Sequence, residues 1–150
     1  MSRVIGADEM LRDLQTLGNE MPKVEKEMLM AGGEAMAESW EQEIEARGFV
    51  ASGEMLKNVR AKTKNRKGAM RAEVTAYGSV KRTVKTGKNK GKQYEVRNAA
   101  KAYMLHYGTS RIHASHWIDA AEDHGMPLVT AAMAGRLGEA LNNTIGGKGT

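Results

Sequence analysis

The chain contains no cysteine. Disulfide staples and thiolate zinc sites are therefore excluded, and a reducing compartment suits it. Aromatic residues make up only 5% of the sequence, with a single phenylalanine. Eleven methionines supply apolar volume in their place. Methionine fills irregular gaps and suits adaptable surfaces, so this composition fits a subunit that completes its packing against neighbours. No apolar run of signal-peptide length opens the sequence. No window approaches the roughly 20 apolar residues of a membrane span. The expectation is one soluble domain over residues 1–150, made in the cytoplasm, with flexible ends at 1–6 and 143–150.

Charge is plentiful and segregated. Residues 57–101 carry fifteen Lys/Arg against two acids, Glu73 and Glu95, while the rest carries eight against sixteen. The molecule is thus polarised into a basic and an acidic part.

Periodicity predicts the elements. Residues 7–17 form a helix capped by Asp8, with Met10, Leu11, Leu14 and Leu17 as its apolar stripe and Gly18 as its end. A second helix starts at Pro22 and runs to about Ala46. Its apolar rows are Val24, Met28, Ala31, Ala35 and Met36, Trp40, Ile44; its acidic face is Glu34, Glu38, Glu41, Glu43 and Glu45. Gly32-Gly33 weakens the helix and predicts a kink or a close contact. Ser52 caps a turn or two through Leu56. The period then switches from 3.6 to 2, predicting strands at 58–64 and 69–77 around a turn at Gly68. Strands at 79–85 and 93–97 flank the loop TGKNKGK. A short helix follows, capped by Asn98, buried through Ala99, Ala102, Tyr103 and Leu105, and stopped by Gly108. Helices at 117–123 and 127–142 complete an α+β domain: a long N-terminal helix and C-terminal helices packed on a small antiparallel sheet with a long basic hairpin.

Three of the four histidines, His106, His113 and His116, lie within MLHYGTSRIHASHW. A zinc site needs three or four converging ligands. RIHASHW is not strongly helical, no Cys or acid pair completes a set, and HExxH is missing. These residues therefore read as polar or packing histidines, and a metal-dependent enzyme built on them is the competing reading. No G-x-S-x-G elbow and no phosphate loop occurs, since GKNKGK lacks the required spacing and strand–helix context. The expectation is no catalysis, no metal and no cofactor. The basic run Lys81, Arg82, Lys85, Lys88, Lys90 and Lys92 admits three readings: contact with DNA phosphates, an interface with the acidic helix of another copy, or a solvated tip. Glu34, Glu38, Glu41 and Glu45 are the matching acidic interface candidates.

Several short motifs resemble the small tail-completion or head–tail joining (neck) proteins of lambda-like long-tailed double-stranded DNA phages and prophages. After the long helix, ASGEMLKNV offers Ser52, Gly53, Leu56 and Val59. A strand ends in AYG before a hairpin. Tyr107, Gly108 and Thr109 match an aromatic-Gly-Thr turn, and His116, Trp117, Ala120 and Ala121 match the step that opens the next helix. The resemblance spans about residues 20–135. Two positions depart from the family pattern: His106 stands where Glu is common, and His116 where Pro is usual. The resemblance implies a virion protein that assembles in the host cytoplasm as a homo-oligomeric ring, most plausibly sixfold. The ring sits at the head–tail junction against the head connector or adaptor and the tail tube or tail terminator, and DNA passes through it. A non-specific DNA-binding accessory protein using residues 81–92 is the alternative. Independently of the family, Gly108 can take a positive φ, Thr109 can bond nearby backbone, and Trp117 can anchor the helix it opens.

Overall fold

The computed structural model describes residues 7–145. Residues 1–6 and 146–150 of the expected flexible ends lie outside them, and residues 143–145 are helical. The elements are α1 (Ala7–Ala46), α2 (Glu54–Lys57), β1 (Val59–Arg66), β2 (Ala69–Ala76), β3 (Ser79–Thr83), β4 (Gln93–Arg97), α3 (Asn98–Tyr107) and α4 (Trp117–Ile145). The class is α+β, as the periodicity requires.

Two expected helix breaks do not occur. Gly18 and Pro22 both lie inside α1, a 40-residue helix about 60 Å long. Pro22 lacks the N–H that would bond the carbonyl four residues back, which is that of Gly18. Both residues are exposed, so water can serve that carbonyl. The apolar positions Met10, Leu14, Leu17, Met21, Val24 and Met28 keep alternating steps of four and three across the site, so the helical register carries through. Pro127 likewise lies inside α4, which joins the two predicted C-terminal helices into 29 residues.

α4 packs antiparallel on α1. The Ser39 hydroxyl donates to the Ala121 carbonyl at 2.6 Å, and Arg136 pairs with Glu27 at 2.9 Å. Small residues set the approach. A Cβ on Gly125 would lie 2.9 Å from the Met36 Sδ, and one on Gly32 would lie 2.9 Å from the Met133 Cγ. On the neighbouring face a Cβ on Gly33 would lie 2.8 Å from that of Ala61, so the glycine pair admits α4 on one side and the sheet on the other.

β1 and β2 pair antiparallel from Val59↔Ala76 to Arg66↔Ala69. Lys67 and Gly68 both have positive φ (53° and 79°), the requirement of the two-residue type I′ turn. Val59 and Ala61 point into the core while Arg60 and Lys62 face out. β3 and β4 form a second two-stranded sheet rather than extending the first. The chain leaves the first sheet at Tyr77-Gly78, where Gly78 has φ 78°. Asn98 holds this exit: its N–H donates to the Gly78 carbonyl and its side chain to that of Tyr77. Asn98 is thus the first residue of α3, not its cap. Gly53 (φ 68°), not Ser52, stands at the start of α2. The core lies where Trp40 and Ile44 of α1 meet Met55, Val59, Ala102 and Trp117. Among the described residues, no helix is long and apolar enough to cross a membrane.

Candidate functional site

The histidine-bearing stretch is a joint between α3 and α4. Gly108 ends α3 at φ 79°, ψ 174°, and the loop 109–116 folds back over the helix end. The Thr109 hydroxyl accepts from the Arg111 and Ile112 N–H groups at 3.2 and 3.1 Å. Ser115 donates both its N–H and its hydroxyl to the Leu105 carbonyl, and the His116 N–H donates to that of His106. The Arg47 guanidinium bonds the Ser115 carbonyl at 3.1 Å, tying the end of α1 to the loop. Trp117 then enters the core, its Nε1–H donating to the Ala102 carbonyl at 3.1 Å.

His106 is buried, and its Nδ1 accepts the Ile118 N–H at 3.1 Å. Ile118 is the second residue of α4, so His106 caps that helix with a side chain borrowed from α3. In the neutral ring this acceptor role leaves the proton on Nε2, which faces the Asp119 carboxylate at 3.8 Å.

His106, His116 and Asp119 each bring a ligand-type atom within 4.8 Å of the others. His113 is not among them. Coordination through the His106 Nε2 would need that nitrogen free of its proton. A neutral ring would then carry the proton on Nδ1, opposite the Ile118 N–H. Binding a metal there would cost the helix its cap, and the geometry gives His106 the structural task.

His116 has φ 51°, a left-handed conformation that proline, locked near −65°, cannot take. A proline at this position would therefore conflict with the backbone. His116→Pro is expected to lose at least about 2 kcal/mol, from the forced φ and the lost N–H bond. His116→Gly should match or exceed wild type by up to about 1 kcal/mol. Urea denaturation of the two variants checks this, and a His116→Pro variant as stable as wild type would refute the backbone assignment.

Not every motif residue is buried. Tyr107 is exposed and stacks on Tyr103 (6.3 Å between centroids, 18° between planes). The expected burial of Tyr103 is thus incorrect: Ala102 and His106 form the inner side of α3. The tyrosine pair, with Met104 and Ile112, is an exposed apolar patch beside the joint. Reading α3 one position around would have revealed it, but a histidine on the inner face masked the true register.

The charged candidates lie away from the joint. Lys81, Arg82, Lys85, Lys88, Lys90 and Lys92 are all exposed, the first two on β3 and the others on the segment that connects it to β4. Among the described residues, no carboxylate pairs with any of them. Glu34, Glu38, Glu41 and Glu45 share one face of α1, again with no ion pair among the described residues. The first three line a cleft of about 510 Å³ beside Val59 and Ala61. Partial burial, then the neighbouring Glu38 and Glu45 charges, raise the Glu41 carboxyl above its ordinary range. Glu43, expected on this face, instead turns to Arg47 and His124.

No family model matches the chain, and no curated protein or solved structure matches it.

Proposed function

We propose that this chain is a structural virion subunit of the phage neck or tail-completion kind, forming a homo-oligomeric ring at the head–tail junction through which DNA passes. The observation that carries the reading is charge polarity left open within the molecule. Six exposed cations lie on one projecting ribbon and four carboxylates on one helix face, without ion-pair partners among the described residues. Opposite poles on one chain favour head-to-tail association, which closes into a ring when the rotation permits. The short motifs shared with neck proteins supply the place. Function then rests on shape and charge complementarity with the head connector and tail tube, and no step of it needs catalysis.

The same ribbon supports a second reading, a non-specific DNA-binding accessory protein. A basic two-stranded ribbon fits a DNA groove, and six phosphate contacts would give a log–log salt slope of about −5. Particle imaging separates the two. The neck reading expects density for the chain as a ring at the head–tail junction of purified particles. Particles that lack the chain, together with free protein showing that salt slope, would overturn it in favour of the accessory role.

A further inference from the structure

We propose that the amino-terminal third of α1 in one copy lies along the β3–β4 ribbon of a neighbouring copy. The inference rests on the ring reading and names the surfaces that would build it.

α1 outruns its partner helix. The pairings Ser39–Ala121, Gly32–Met133 and Glu27–Arg136 place the end of α4 opposite about residue 18 of α1, since both helices rise equally per residue. Before that point α4 does not cover the apolar stripe: Met10 is 65% exposed and Leu14 53%, and just past it Met21 is still 40% exposed. With Leu17 these positions step by four, three and four, so they form a single face. Large apolar side chains aligned on a projecting helix mark an interaction surface.

The ribbon has the complementary defect. Cross-strand partners share a face, so Val80 with Val96 and Arg82 with Tyr94 lie on one side. The Val84 N–H bond to the Lys92 carbonyl continues the pairing. That face carries Val80, Val84, Tyr94 and Val96 with the cations Arg82 and Lys92 among them, while the other carries Ser79, Lys81, Thr83, Gln93, Glu95 and Arg97. A two-stranded ribbon is marginal in water without something on its apolar face. Tyr94 is 48% exposed, and a hollow of about 740 Å³ is lined by ribbon residues alone.

Charge selects the pairing. Residues 7–21 carry four acids and one cation, and residues 79–97 carry seven cations and one acid. Two copies of the stripe would instead bring acid against acid. Ion pairs alone at a surface contribute little, so the glutamate face of α1 is the weaker partner for the ribbon. The proposed contact is between copies. Leu14 lies about 39 Å along the helix from Trp40, and the ribbon joins the body at Gly78 and Asn98, near that far end. Surfaces at opposite ends of one chain give a heterologous contact, which generates rings or filaments.

The absence of cysteine makes the test direct. Leu14→Cys and Tyr94→Cys variants, each with one thiol at an exposed site, are mixed and oxidised. A disulfide-linked dimer containing one of each is expected only in the mixture, and Lys85→Glu with Lys92→Glu on the ribbon copy should cut its yield about tenfold. Dimers of Leu14→Cys alone would show stripe against stripe and overturn the proposal. Rings at the head–tail junction without the mixed cross-link would overturn the docking and leave the neck reading standing. The mixed cross-link in a chain absent from particles would support the docking and remove the neck reading. Salt-sensitive DNA binding lost with the two lysine reversals, without the mixed cross-link, would assign the ribbon to nucleic acid.

Discussion

Replacing Trp117 with alanine is expected to cost about 3–5 kcal/mol, the range for truncating a fully buried tryptophan. The residue is wholly inaccessible and belongs to the core cluster that α1, α2, β1, β2, α3 and α4 build together. Its ring meets Trp40 edge-on at 4.9 Å and 75°, and Phe49 at 6.5 Å and 71°. In a chain with so few aromatic residues the two buried tryptophans fill much of the core, and Phe49 packs against them from its edge. The indole N–H adds a bond to the Ala102 carbonyl, tying the first turn of α4 to α3. Trp117→Phe keeps a ring in the pocket and loses that bond, so about 1–2 kcal/mol is expected. Domains of this size hold about 5–15 kcal/mol in total, so Trp117→Ala should leave the fold marginal at 37 °C. Chemical denaturation of both variants measures the two losses. A Trp117→Ala loss below about 1 kcal/mol would mean the indole does not anchor the joint.

The ordering of these two variants also explains what the sequence made legible. Val59, Ala61, Met70 and Val74 alternate with polar residues, and that period of two identified β1 and β2 with their turn. Trp117 and Gly108 were legible as anchor and stop because residue type alone restricts what they can do. Gly18, Pro22 and Pro127 misled, because a breaker is judged by local cost while the outcome depends on what surrounds it. All three are exposed, so water can serve the two carbonyls that the prolines free, and each helix runs on through them. The division into two sheets was illegible for a different reason. It depends on Asn98 holding Tyr77 and Gly78 from twenty residues away, and no period within the strands records that bond.

The histidine cluster shows the same limit at the candidate site. Ligand counting argued against zinc from residue types, but the role of His106 needed the fold. Its Nδ1 meets a backbone N–H twelve positions later in the chain, across a loop whose path no periodicity predicts. The histidine offers one acceptor to the helix start and, in its neutral form, turns an N–H toward Asp119. The charged surfaces were legible by position, since exposure follows directly from a run of lysines. What the fold adds is that α1 projects an apolar stripe beyond α4, which a helix expected to stop at Gly18 would have presented as a separate, movable piece.

Gly108 should tolerate no side chain, and the loss is expected to grow from alanine to valine. Its φ of 79° and ψ of 174° place it in a region open essentially to glycine alone. A Cβ there would also lie 2.8 Å from both the Ala114 nitrogen and the Ile112 oxygen. Those are backbone atoms, so no rotamer change relieves the clash; the loop itself must move. Moving it disturbs the Ser115 and His116 bonds to α3 and, through them, the entry of Trp117 into the core. About 3 kcal/mol or more is expected for Gly108→Val, from conformational strain and broken loop bonds together. Asparagine separates this cause from simple left-handedness. Gly53, at φ 68° and ψ −9°, lies in a left-handed conformation and would meet only the tip of Lys57, at 3.8 Å. Asparagine is one of the few residues that adopt such a conformation readily. Gly53→Asn should therefore cost well under about 1 kcal/mol, while Gly108→Asn should fall close to Gly108→Ala. Denaturation midpoints of the four variants, read with the yield of any oligomer, decide the matter. Equal losses for Gly53→Asn and Gly108→Asn would show that the joint yields to a side chain, and that its shape does not depend on the glycine.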